Sequence, residues 1–229
     1  MHLTIANKLY SSWSLRPWIL MKAKGIAFDE TIIPLDQPDT SRRIRAISAA
    51  GRVPILQDGS CKIWESLAIL EHLNDRFPDK EIWPSKPAAR AHARSIASEM
   101  HAGFTALRSA CPMNLGKKFA PRNRGADVAA DVARVDTIWC EARDRFGAEP
   151  EGPFLYGAFS AADAMYAPVV TRLDTYSFDM TTAARSYMDA VLGHSAYREW
   201  LDAALQETWI VPSDEVDEEP IETYRPQPS

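Results

Sequence analysis

The chain has 229 residues, 46% hydrophobic and 25% charged, with a formal net charge of -5. That length falls between one domain and two and is sufficient for two modest hydrophobic cores. The acidic balance argues against general affinity for nucleic acid or an anionic membrane, since either needs a concentrated basic face. No apolar run reaches the roughly 18 residues of a membrane-spanning helix. The first residues lack the basic flank and long apolar core of a signal peptide. Cys61, Cys111 and Cys140 are widely separated and give neither a disulfide framework nor a metal pattern. A cytoplasmic protein without a metal is expected, with no nucleic-acid or membrane partner.

In chain order, residues 3–6 read as a strand and 12–24 as a helix with Leu15, Trp18, Ile19 and Ala23 on one face, stopped by Gly25. Pro17 fits the first turn of that helix, where its missing N–H breaks no bond. Residues 28–33 read as a second strand ended by Pro34, and 40–48 as a short Arg-rich helix. Asp58-Gly59 signals a hairpin between strands 54–57 and 61–64, and an apolar-periodic helix starts at Ser66. The order is βαβαββα, with a right-handed crossover joining the first two strands. Three prolines in 78–87 mark a linker, after which 88–110, 127–146, 161–176, 183–192 and 195–207 all read as helices. The break over 111–125 is a long loop near the expected cleft, and its basic cluster Lys117, Lys118, Arg122 and Arg124 reads as exposed. The acidic, proline-rich stretch 213–229 reads as a loosely ordered tail. Trp139, Trp200 and Trp209 read as packing residues. The organisation is therefore an α/β domain over 1–80, an all-helical domain over 88–212, and the tail.

The densest chemistry lies in Arg52-Val53-Pro54-Ile55-Leu56 and Ile63-Trp64-Glu65-Ser66, preceded by Tyr10-Ser11-Ser12-Trp13-Ser14-Leu15-Arg16-Pro17. The hairpin returns the second strand toward the first, so a proline-opened strand, a carboxylate and a helix N-terminus converge, a combination suited to a small peptide. Together with Phe159-Ser160-Ala161-Ala162-Asp163, which resembles the capping motif of the helical half, these residues resemble the cytosolic glutathione transferases over nearly the whole chain. The paired serines are most similar to the serine-type classes, zeta and its bacterial relatives. The resemblance implies a thioredoxin-like N-terminal domain followed by an all-α domain, glutathione as co-substrate, and a homodimer.

A thiol attacks electrophiles as the thiolate. Hydroxyl donors and the positive end of a helix both favour that anion. Ser11 and Ser12 occupy the turn that opens the first helix. The spacing back from Arg16 in the serine-type families falls on Ser11, favoured as the thiolate donor, with Ser12 second; the alternative is that both cap the helix. Val53-Pro54 resembles the family's cis-proline corner, which pairs with the cysteinyl backbone as an added strand would; an edge-strand proline is the other reading. Glu65 suits the γ-glutamyl ammonium and Ser66 its carboxylate, unless they are a surface acid and an ordinary cap. Arg52 stands where the family often has Lys or Gln near the glycyl carboxylate.

The second-substrate pocket is expected between the domains, lined by Trp13, Met100, His101, Phe104 and Arg108, although a Met or aromatic stripe also suits a core. Trp13 replaces the zeta-class cysteine two residues after the first serine. That departs from the zeta-type isomerisation of maleylacetoacetate and leaves no cysteine in the turn for a mixed disulfide. The leading expectation is a glutathione transferase acting on a small hydrophobic electrophile. Its alternatives are a glutathione-dependent isomerase or peroxidase, a ligand carrier, or a non-catalytic scaffold that keeps the fold.

Overall fold

The apolar pattern of the first residues forms β1 (His2–Ile5), whose Leu3 and Ile5 are fully buried. The computed structural model describes residues 1–147 and 152–225. After β1 come α1 (Ser12–Ala23), β2 (Asp29–Ile32), α2 (Thr40–Ile47), β3 (Ile55–Asp58), β4 (Cys61–Trp64) and α3 (Ser66–Arg76), the expected βαβαββα order. The sheet order is β2-β1-β3-β4, with β1 parallel to β2 and antiparallel to β3. A parallel pair needs a crossover long enough to hold a helix, and α1 supplies it. Strand β3 turns into β4 in the register Asp58↔Cys61, so the loop residues are Gly59 and Ser60, one position later than the Asp-Gly pair implies. Gly59 takes φ +57, a conformation costly for a residue with a Cβ.

The helical half comprises α4 (Pro87–Ala102), α5 (Thr105–Ala110), α6 (Ala126–Phe146), α7 (Ala161–Thr175), α8 (Thr182–Gly193) and α9 (Ser195–Leu205). Helix α7 is its axis and is buried from Ala161 to Leu173. It packs on α1, so one apolar core runs through both halves and α1 is enclosed on nearly every face. The start of α7 is fixed by Asp163, fully buried, which accepts from Ser160 N (2.8 Å), Ser160 Oγ (2.8 Å) and Leu155 N (3.0 Å). Ser160 N is a donor of the helix entry, and Leu155 N is a buried donor of the loop that leads into it.

Four expectations are corrected. The single helix over 88–110 is broken at Gly103 and Phe104. A Cβ on Gly103 would lie 2.8 Å from the Glu99 carbonyl, and Phe104 takes φ +54, so α4 and α5 point differently.

The tail is held, at least to residue 225. Glu207 accepts from Lys8 N (2.7 Å) and Leu9 N (3.1 Å). Glu215 accepts from the Tyr10 hydroxyl (2.6 Å), Asn114 Nδ2 (3.1 Å) and Lys117 Nζ (2.6 Å). Glu218 takes a two-pronged contact from Arg124 (2.8 and 2.9 Å), and β6 (Glu222–Thr223) pairs antiparallel with β5 (Lys117–Lys118). The same contacts overturn the reading of Lys117, Lys118 and Arg124 as exposed, because the acidic segment folds onto them and the Arg124 side chain is only 5% exposed, whereas Arg122 stays exposed as expected. Trp139 and Trp200 are fully buried as expected, whereas Trp209 is exposed.

Candidate active site

The turn from β1 into α1 is pinned by Asn7, whose carbonyl accepts from Ser11 N (2.8 Å) and whose Oδ1 accepts from Leu35 N (2.7 Å). Ser11 is the N-cap of α1. Its Oγ accepts from Ser14 N (3.4 Å) and donates to Ser14 Oγ (2.8 Å), which itself accepts from Ala6 N (3.0 Å). The Ser11 hydroxyl is therefore committed to the helix cap. Ser12, the first residue of α1, carries a hydroxyl with no bonding partner among the described residues, on the wall of a cavity.

A cavity of about 480 Å³ opens between the halves, lined by Arg52, Val53, Pro54, Glu65, Ser66 and, across the gap, Trp13, His101, Ala102 and Arg108. The Val53-Pro54 bond is cis. Glu65 takes φ +68 as the N-cap of α3 and makes no side-chain cap bond, so the first N–H groups of α3 receive no acceptor from that side chain. Ser66 is fully buried; its Oγ accepts from Arg16 Nη1 at 3.5 Å. His101 Nε2 lies 3.8 Å from Glu65 Oε2. Burial, then Arg16 and Arg108, hold the His101 imidazole below its ordinary pKa, against the pull of Glu65, so it is neutral near pH 7.

A second cavity, about 340 Å³, lies on the other side of Trp13 and is lined by Tyr10, Ser11, Ser12, Leu35, Thr105, Arg108, Ser109, Pro112, Arg172 and Asp214. Trp13 and Arg108 belong to both cavities, so the indole is the partition between them. It is held by cations: the Arg16 guanidinium lies 3.9 Å and that of Arg108 4.9 Å from its ring centroid, with His101 edge-on at 5.3 Å.

Arg16 is 1% exposed, its Nε has no partner, and its neighbours Arg172 and Arg108 are also cations. Burial first and those like charges second push its pKa well down, yet a guanidinium stays protonated, so beside Trp13 and Ser66 lies a cation to which, among the described residues, no carboxylate bonds. Arg172 is lowered to about 10, by burial and then Arg108, with Asp214 opposing. Burial raises the Asp214 carboxyl to about 6 despite Arg172. The Cys111 thiol is pushed up to about 11 by burial, which removes it as a nucleophile. Among the described residues, no group of three or more His, Cys, Asp or Glu is placed to hold a metal ion.

The structure thus brings Arg52, Val53, Pro54, Glu65 and Ser66 to one cavity and Ser11 and Ser12 to its neighbour, joined by Trp13 and Arg108. Met100 and Phe104, expected in the pocket, are instead buried in the core. Met100 continues the stripe Ala89, Ala93, Ile96, Ala97 that packs α4 inward, and the break at Gly103 removes Phe104 from the face of His101. Reasoning from sequence missed the roles of Arg16, Arg172 and Asp214. The first two carried a signal, each being a charge set among apolar neighbours in its helix; Asp214 carried none.

Comparison with known proteins places this geometry in a family. The model of the glutathione S-transferase N-terminal domain matches residues 10–76, and that of the C-terminal domain matches residues 87–203. Glutathione S-transferase Z2 of Arabidopsis thaliana is 34% identical over 99 residues, 39% of this chain and 44% of that protein. Maleylacetoacetate isomerase of Pseudomonas aeruginosa is 25% identical over 213 residues, 84% of this chain and 94% of that protein. The aligned part of this chain spans between 49% and 63% of the length of several other curated relatives. Among solved structures, a sphingomonad glutathione S-transferase complexed with glutathione superposes with a TM-score of 0.67 at 21% identity, covering 90% of this chain and 100% of that one. The chain belongs to the glutathione S-transferase family.

Proposed function

We propose that this family member uses glutathione, ionises its thiol through the Ser12 hydroxyl, and presents the sulfur to a small polar electrophile in the second cavity. The observation that carries the reading is the contrast between the two serines: Ser11 is engaged in the helix cap and Ser12 is free. The donor set of the first cavity suits the tripeptide. Ser66 and the open N–H groups of α3 suit the γ-glutamyl carboxylate, Glu65 its ammonium, the Val53 backbone the cysteinyl unit, and Arg52 the glycyl carboxylate. This supports carrying those residues over as binding residues.

Ser12 donates to the sulfur anion, and one charge-assisted bond of roughly 1.5–3 kcal/mol is enough to lower a thiol by about one to two units. The N-terminus of α1 and the Arg16 cation add to that field. The thiolate then forms a C–S bond to the electrophilic carbon. With an unsaturated acceptor, the π pair moves to the adjoining carbonyl and solvent supplies the proton. Arg108, Arg172, Thr105 and Ser109 favour an acceptor with a carboxylate or carbonyl over the small hydrophobic electrophile expected from the sequence. The same arginine pair favours one second reading, glutathione-dependent isomerisation of an unsaturated acid, in which the adduct reverts after bond rotation.

Titration of thiolate absorbance in the glutathione complex tests the reading. A bound thiol pKa at the free value would overturn it. A homodimer in the cytoplasm belongs to the same proposal, with Trp64, 49% exposed on the edge strand β4, as apolar surface available to a second copy. Among the described residues, no helix is long and apolar enough to cross a membrane.

A further inference from the structure

The cavity beside the serines has one acidic wall residue, and it comes from outside both matched regions. Asp214 ends a short 3-10 turn (Pro212–Asp214), beyond the segment 87–203 that matches the C-terminal family domain. Its neighbour Glu215 fixes it in place. The Tyr10 hydroxyl, one residue before the serine pair, donates to Glu215 at 2.6 Å, and Lys117 and Asn114 hold the same carboxylate. The turn is thereby bolted to the residues that carry the chemistry, and the Asp214 carboxylate stands in the cavity with Arg108 and Arg172 and without a side-chain hydrogen bond among the described residues.

We propose that Asp214 is a specificity-determining residue of the second cavity, which offsets one of its two arginines and so selects acceptors with a single negative charge over dianions. The inference rests on the transferase reading above. The argument is one of charge balance in a partly desolvated space. Two guanidiniums facing the cavity would accommodate two carboxylates, and a fixed carboxylate among them repels the second. The charged groups around Asp214 are Arg172 on α7, Arg108 on α5, Asp36 in the loop after β2, and the adjacent Glu215 with its partner Lys117. Asp36 and Glu215 oppose ionisation of Asp214 and Arg172 favours it. Its raised carboxyl, about 6, makes the selectivity depend on pH: below that value Asp214 is neutral and the bias against dianions fades.

The test uses three acceptors with one carbon skeleton: dimethyl fumarate, monomethyl fumarate and fumarate, carrying no charge, one and two. KM is measured for each with glutathione in the full-length protein and in Asp214→Asn, which keeps the shape and removes the charge. Taking variant-to-parent ratios cancels the intrinsic reactivity of each acceptor. The expected result is that KM for fumarate, relative to the dimethyl ester, falls about fivefold to tenfold in Asp214→Asn, with monomethyl fumarate intermediate. In the parent the same relative KM rises with pH through about 6, and this rise is lost in the variant.

Equal relative KM values in the two proteins, or a pH dependence that survives the substitution, would overturn the proposal. If Asp214→Asn does not fold, Asp214→Ser is judged by the same ratios. Failure of the underlying reading looks different: the parent itself would then conjugate none of the three esters and acids.

Discussion

The guanidinium of Arg16 stacks 3.9 Å from the centroid of the Trp13 ring, one helical turn beyond Ser12, and among the described residues no carboxylate bonds to it. A cation in that position costs desolvation energy, and the structure returns only one long bond to Ser66. Replacement by an apolar side chain of similar volume therefore separates stability from function. Arg16→Met is expected to melt at or above the parent temperature, a gain of up to about 2 kcal/mol. In the same variant the bound thiol pKa rises by about one unit through loss of the nearby charge. Thermal melts together with thiolate absorbance check both halves, and a strongly destabilised variant with an unaltered thiol would show the charge to be structural.

The two serines give opposite signatures. Ser12→Ala is expected to raise the bound thiol pKa by about one to two units and to lower kcat/KM about tenfold to a hundredfold. Ser11→Ala loses the cap of α1 and costs about 1 kcal/mol of stability, with the smaller effect on the thiol. Parallel denaturant curves and pH titrations decide it; a larger thiol shift in Ser11→Ala would reassign the donor.

Asp163→Ala strands two buried backbone donors, Leu155 N and Ser160 N, at the entry to the helix on which both halves pack. A loss of about 3 kcal/mol follows from leaving such donors unsatisfied, more than a surface cap alone would give. Urea unfolding measures it, and a loss below about 1 kcal/mol would mean that water replaces the carboxylate.

Acid should release the segment from Glu215 to Arg225. Burial raises Glu215, but bonds from Lys117, Tyr10 and Asn114 outweigh it and leave its pKa below the ordinary value; the Arg124 bond depresses Glu218. Carboxylates depressed in the folded state contribute stability that is present above their unfolded pKa and lost as pH falls through the folded one. Hydrogen exchange should therefore show protection of Ile221 N and Tyr224 N, which donate to Lys118 and Gly116, near neutral pH and its loss below about pH 4. Protection that persists at pH 3 would show that β-pairing alone holds the segment.

The residues legible in the sequence were those whose roles are local. Strand alternation, the Ser160–Asp163 spacing and the turn into β4 are each decided within a few positions. The cis peptide bond before Pro54 came from the family resemblance and is present. Illegible features depend on distant partners. Nothing near Lys117 or Arg124 announces that Glu215 and Glu218 will neutralise them, and two-residue strands such as β5 and β6 carry no periodicity. The break at Gly103 and Phe104 interrupts an otherwise helical pattern and misplaced Phe104, while Met100 followed the inward stripe of α4. That the Ser11 hydroxyl is engaged depends on Ser14, whose hydroxyl looks in sequence like one more polar residue on the helix.

The Tyr10 to Glu215 contact closes a loop of 205 residues. During synthesis the serine turn leaves the ribosome long before its acidic clamp exists. The sheet half has to wait, with its serine turn unbraced, until the helices have docked and the segment after them has brought Glu215 to Tyr10. A nascent chain released early would therefore carry both serines and Arg16 and still lack the contact that braces their turn.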